Sequence, residues 1–288
     1  MSELPANVDP KADPEADKAH VDAEEAAIEA TRAPLLDHLM ELRDRLLWSV
    51  IALIVCSILC FAVWKVILAA LLLPYEHAVI AVKGIEALQG EMRLQYTAPL
   101  ETLVTQLKVS FFGGLMLSFP VVATQVYRFV APGLYSHEKK AFLPFLLLAP
   151  VLFLLGAAMA YFVVMPMVMQ FSLNQELDGG AGNVGVYYQG KVSEYVGMIT
   201  SLVLGFGFCF QLPVVQLLLG RAGLVSSEFW FENARYAILG VFIVAAIVTP
   251  PDPVSQLALA VPLVILYYLG AWMVKVTMPK ETEADAVP

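Results

Sequence analysis

Six stretches of the chain carry no charged side chain: 46–64, 109–127, 141–175, 195–220, 236–251 and 253–274. A helix that crosses a hydrocarbon core about 30 Å thick needs roughly 20 mainly apolar residues. The pattern therefore predicts six transmembrane helices, of which the third is unusually long. Only Thr249-Pro250-Pro251-Asp252-Pro253 separates the fifth from the sixth, and proline can continue neither helix there. From 236 to 248 the fifth span covers only about 20 Å at 1.5 Å per residue. A hairpin that short is expected to thin the bilayer locally or to tilt poorly.

Prolines punctuate these runs: Pro120, Pro144, Pro150, Pro166, Pro213 and Pro262 fall inside spans or at their ends. Each removes a donor and bends its helix, which a membrane protein tolerates where neighbouring helices re-satisfy the backbone. The expected fold is an all-α integral membrane protein, a kinked and cupped bundle of six helices.

Composition agrees. Of 288 residues, 59% are hydrophobic and 15% charged, and the mean hydropathy is +0.72. Soluble domains run nearer 45–50% apolar and 25% charged. The net charge of −9 is mostly local, because residues 1–31 hold nine acidic side chains against Lys11 and Lys18. The expected organisation is a disordered acidic tail over 1–33, a membrane domain over 34–275 and a short tail over 276–288. The first tail lacks the cationic and apolar regions of a signal peptide, and its acidity argues against a transit peptide.

Six spans put both termini on one side. That side carries Arg32, Arg43, Arg45, Arg128, Lys139, Lys140, Arg221, Arg235, Lys275 and Lys280 near span ends, and the other carries Lys65, Lys83, Arg93, Lys108 and Lys191. Positive charge marks inner loops, so both termini are expected to be cytoplasmic. Cys56, Cys60 and Cys209 all lie in apolar spans. No histidine or acid stands beside them at ligand spacing, so free buried thiols are expected rather than a metal site or disulfides.

One charged cluster stands out. His38-Leu39-Met40-Glu41-Leu42-Arg43-Asp44-Arg45 runs directly into the first apolar stretch. Glu41 and Arg45 are four apart and suit an intrahelical ion pair worth a few tenths of a kcal/mol, while Arg43 points elsewhere. Glu138, in Ser136-His137-Glu138-Lys139-Lys140, suits the N-terminal end of the third helix, where the helix dipole favours an acid.

These residues also carry a resemblance. The segment from His38 resembles the N-terminal signature of the TatC family, the multi-spanning receptor subunit of twin-arginine protein translocases. The likeness recurs at Gln125-Val126-Tyr127-Arg128-Phe129-Val130-Ala131-Pro132-Gly133-Leu134-Tyr135, at Phe162-Val163-Val164 with Pro166, and at Thr249-Pro250-Pro251-Asp252 with Ser255-Gln256. It runs in the expected order from about Leu35 to Trp272. It implies a concave, glove-like six-helix bundle and a receptor site in which Glu41 and Glu138 read the paired arginines of a signal peptide. Arginine offers a planar fork that a carboxylate accepts in bidentate fashion, which lysine cannot reproduce.

Arg43 is expected to orient that cluster, Leu39 to belong to it, and Phe129 to pack on the apolar part of the peptide or anchor at the interface. Pro74, expected to end the first span, Pro120 and Asp252 match further family positions. Asp252 equally suits a cap of the sixth helix. Gln211 stands where many members have glutamate, which removes a protonatable group from mid-span and leaves hydrogen bonding to a neighbouring helix. Gln211, Thr249 and Gln256 match positions where the family docks single-span TatA/TatB-type partners. Each equally suits a contact within the monomer.

The function so implied is non-enzymatic. It is export of folded proteins across a bacterial cytoplasmic membrane, driven by the proton gradient, in an oligomeric complex with those partners and with membrane lipid. No cofactor, metal or nucleic acid is called for. The sequence has no phosphate loop, and its histidines are scattered. The alternative is a secondary transporter for a small solute. It is disfavoured because such proteins place ionisable residues near the bilayer midplane, and no span here has one.

Overall fold

The computed structural model describes residues 39–89, 94–130, 143–177, 185–221, 223–249 and 253–277. They fall into two units, one ending at Trp48 and the other beginning at Ser49. The described residues are helical and contain no β-sheet, only two isolated bridges, Gln95 with Lys191 and Leu177 with Val186. The all-α membrane architecture expected from the apolar pattern is what is found.

Helix α1 runs Leu39–Ala62. After Val63 (φ −113°, ψ 18°) the chain continues as α2, Trp64–Lys83. The first span was expected to end at Pro74. Instead Pro74 lies inside α2, buried, and the helix continues for nine more residues. A single non-helical residue cannot reverse a chain, since antiparallel helices need a loop of two to five residues. Helix α2 therefore follows α1 directly, with helical bonding resuming as the Ile67 amide donates to the Val63 carbonyl at 3.3 Å. A short α3, Ile85–Gln89, follows.

Helix α4, Glu101–Val130, contains Pro120. Helix α5, Leu143–Met159, contains Pro150. It leads through a π-helical turn, Ala160–Val164, into α6, Met165–Asn174. Pro166 at the start of α6 has no N–H to give, so the regular ladder cannot be maintained across this point. Helix α7, Val192–Cys209, breaks at Phe210 and Gln211 before α8, Leu212–Arg221. Pro213 explains the break, because it cannot donate to the carbonyl of Cys209.

The short α9, Ser227–Glu232, begins at Ser226, whose hydroxyl accepts from the Phe229 amide. Helix α10, Ala234–Val248, has 15 residues. Helix α11, Pro253–Thr277, contains Pro262.

Six described helices are long and apolar enough to cross a membrane: Leu39–Ala62, Trp64–Lys83, Glu101–Phe129, Leu148–Asn174, Val192–Arg221 and Ser255–Thr277. The fifth predicted span is the short α10, as its length implied. The number six is reached differently, with α2 long enough to count and α10 too short.

Helices α2, α4, α6, α7, α10 and α11 share the main core, built on Tyr75, Met165, Tyr195, Ile199, Phe206 and Leu259. Phe119 beside Pro120 stacks on Phe153 of α5 with ring centroids 3.7 Å apart, and Phe208 of α7 meets Phe153 edge-on at 5.5 Å. Gly156 lets α5 and α7 approach closely: a Cβ there would fall 2.5 Å from the Phe206 carbonyl oxygen. Such close packing is how helices associate where lipid offers no hydrophobic drive.

Candidate functional site

The helical spacing expected at the chain's entry to the bilayer is realised. Arg45 donates from Nη2 to Oε1 of Glu41 at 2.8 Å, with both side chains about one-third exposed. Arg43 turns away from that pair and grips Asp44 through Nε at 3.0 Å and Nη2 at 2.9 Å. The four charges thus sort into two pairs. Leu39 lies in the same turn with 59% of its surface exposed. The first unit presents a carboxylate already in contact with a guanidinium, beside an exposed apolar side chain.

Phe129 is half-buried at the end of α4, and two residues earlier Tyr127 packs on the small cluster around Leu217 and Val274. Glu138 and Asp252 lie outside the described residues, as do Pro250 and Pro251.

The polar residues Gln211, Thr249 and Gln256 are engaged with their own chain. Gln211 donates from Nε2 to the Ala149 carbonyl at 2.8 Å, joining the α7–α8 break to α5. This is the helix-to-helix hydrogen bond expected of an amide at that position. Thr249, buried, donates back to Ala245 at 2.8 Å, and Gln256 donates to the Phe242 carbonyl at 3.4 Å. Around Pro74 two tyrosines supply donors. Tyr161 of the π turn donates to the Ala70 carbonyl, and Tyr195 of α7 donates to that of Leu71 at 2.8 Å.

Three features escaped the sequence reading. The first is a clip at the end of the bundle where α4 and α7 begin. One carboxylate, Glu101, accepts from the Thr97 amide at 2.5 Å and its hydroxyl at 3.1 Å, and from the Ala98 amide at 3.2 Å. It also accepts from the Ser193 amide at 3.3 Å and its hydroxyl at 2.6 Å. The Pro99-Leu100-Glu101 order is a helix-start signal that could have revealed half of it.

The second feature lies at the same end. Lys83 at the end of α2 pairs with Glu176 beyond α6, and Glu176 also accepts from the Tyr188 amide at 3.0 Å. Burial first, and then the Glu101 carboxylate, push the phenol of Tyr96 up. Tyr188 is raised by burial and then by Glu194. Both loop tyrosines therefore stay neutral.

The third is Gln216 of α8, 1% exposed, whose amide has no partner among the described residues. It fills the place of the side chain that Gly270 of α11 lacks. Among the described residues no group of three or more His, Cys, Asp or Glu side chains could hold a metal ion.

These observations define a polytopic helical membrane protein with a charged cluster at the entry of its first helix. The family model for the Sec-independent protein translocase protein TatC matches residues 37–262. A TatC of Magnetococcus marinus is 39% identical over 255 residues, covering 88% of this chain and 89% of that one. A TatC of Helicobacter pylori strain J99 is 38% identical, covering 87% and 93%. A crystal structure of a twin-arginine translocase receptor TatC superposes with a TM-score of 0.68 at 34% identity, covering 83% of this chain and 98% of that one. The chain belongs to the TatC family of Sec-independent protein translocase components. It is accordingly a multi-pass membrane protein of protein transport, and the solute-transporter reading is not favoured.

Proposed function

We propose that this chain is the receptor for twin-arginine signal peptides in a bacterial cytoplasmic membrane, non-enzymatic and with both termini cytoplasmic. It works with single-span TatA/TatB-type subunits in an oligomeric, proton-gradient-driven complex that exports folded proteins. Glu41 and Glu138 are the two carboxylates that read the arginine pair. Arg43 orients the cluster, and Leu39 and Phe129 meet the apolar part of the peptide.

The observation that carries this reading is the Glu41 carboxylate at the mouth of an apolar helix, in reach of a guanidinium at 2.8 Å. Two such carboxylates near a low-dielectric boundary favour the planar fork of arginine over the point charge of lysine. Gln211, Thr249 and Gln256 mark the region that meets the partner subunits, and each also holds a hydrogen bond inside the chain. Pro74 and Pro120 set bends in the bundle, and Asp252 is a further position shared with the family.

The test is binding of the full-length protein in lipid nanodiscs to an Arg-Arg signal peptide and to its Lys-Lys twin. Glu41→Ala and Glu138→Ala variants are measured in parallel. A preference for Arg-Arg that collapses in both variants supports the reading. Equal affinity for the two peptides, untouched by either substitution, removes it.

A further inference from the structure

The carboxylate assigned to the receptor site holds a cation of its own helix. Arg45 sits one helical turn beyond Glu41 and donates to its carboxylate, Nη2 to Oε1 at 2.8 Å. The neighbouring guanidinium of Arg43 is committed to Asp44 by two hydrogen bonds. Arg45, not Arg43, is thus the guanidinium that rests on Glu41.

We propose that Arg45 is a built-in counter-cation for Glu41, so that a signal peptide binds by exchanging its own arginine for Arg45. The inference rests on the reading of Glu41 as a receptor carboxylate and adds how that carboxylate is kept before a substrate arrives.

The exchange has a definite chemical sense. A free carboxylate at the bilayer edge attracts any cation, lysine-rich segments and anionic-lipid counterions included. A carboxylate resting on Arg45 sets a higher threshold, because an arriving cation must give more than the hydrogen bond it replaces. An ammonium directs one donor at the site and trades one bond for another. A guanidinium docks as a fork and gains a second, parallel bond. The side chains are only about one-third exposed, so the exchange occurs where water competes less than on an open surface. Because the internal pair lies within one helix at i and i+4, its strength is modest and it yields to a well-fitted ligand. Arg45 acts through Glu41 and is a positioning residue for recognition.

The experiment is a double-mutant cycle on the full-length protein in nanodiscs, read as the Kd for the Arg-Arg peptide. The four proteins are wild type, Arg45→Gln, Glu41→Gln and the double variant. Arg45→Met joins them as a second neutral variant that keeps the aliphatic stem, in case Arg45→Gln does not insert. Removing Arg45 is expected to tighten binding about two- to fivefold, the scale of a partly exposed i,i+4 pair. The Lys-Lys peptide is expected to gain by a similar factor.

In the Glu41→Gln background the same removal is expected to change nothing. A weaker or unchanged Kd on losing Arg45, with Glu41→Gln itself weakening binding, overturns the exchange and leaves the receptor reading standing. A gain that persists without Glu41 also overturns it, since the effect is then one of overall charge. If Glu41→Gln leaves the Kd untouched, the receptor reading of Glu41 falls first and the exchange falls with it.

Discussion

The phenol of Tyr161 donates to the carbonyl of Ala70, the acceptor that Pro74 leaves without a helical partner four residues on. A proline inside a helix removes one hydrogen bond and crowds the carbonyl of residue i−4, and in hydrocarbon an orphaned carbonyl costs several kcal/mol. The π turn of the third span supplies the missing donor, Tyr161 to Ala70, and Tyr195 of α7 donates to the next carbonyl, that of Leu71. Tyr161→Phe is therefore expected to destabilise the protein by about 1 kcal/mol, read as a lower Tm in nanodiscs. The effect should shrink in a Pro74→Ala background, where an amide donor returns. An equal loss in both backgrounds shows that Tyr161 acts by packing alone.

Glu101 ties the loop before α4 and the first turn of α7 to one carboxylate through five hydrogen bonds. Glutamine keeps the shape but turns an NH2 group toward donors that need an acceptor. Glu101→Gln is expected to lower the Tm by several degrees and to speed hydrogen exchange at the Thr97 and Ala98 amides. Ser193→Ala should do the same to a lesser extent. Unchanged exchange at those amides means that the clip does not order the loop.

Gly114 of α4 rests on α1. A Cβ there would fall 2.1 Å from the Ser57 hydroxyl oxygen and 2.6 Å from the Ser57 Cα. Backbone cannot yield as a side chain does, so Gly114→Ala should cost about 1–3 kcal/mol by overpacking. Gly197 of α7 has nothing within 4 Å of such a Cβ. Gly197→Ala should be neutral or stabilising by some tenths of a kcal/mol, through helix propensity alone. Thermal unfolding of the two variants side by side makes the comparison, and equal Tm values contradict it.

Gln216 is the buried amide with no partner among the described residues. Burying polar atoms without a partner costs about 1–3 kcal/mol, whereas an apolar side chain of similar shape avoids that cost. Gln216→Met is expected to raise the Tm, because methionine matches its length and is flexible enough to fit beside Gly270. A lower Tm shows that the amide is hydrogen-bonded after all.

Much of the fold could be read from short-range patterns. Uncharged runs located most of the spans, and the distance from 236 to 248 set the shortness of α10. The Glu41–Arg45 pair followed from i,i+4 spacing. Pro74 was misread because a proline in an apolar run looks like a terminator when only neighbours in sequence are considered. Tyr161 and Tyr195, which keep that helix going, are about 90 and 120 residues away. The interruption at Val63 has neither proline nor glycine to announce it, and it was invisible for that reason.

The sequence by itself determined which stretches of this chain are apolar enough to lie in a bilayer, because transfer of apolar residues is nearly additive along a helix and needs no partner. It also placed Glu41 beside Arg45, since helix geometry brings i and i+4 together in any fold. Tertiary structure alone decided which backbone carbonyls Tyr161, Tyr195 and Gln211 satisfy. It alone joined Glu101 to Ser193 and set Gln216 against Gly270. In hydrocarbon a polar group must find its partner inside the protein, and which partner it finds depends on distances between helices that no local pattern encodes.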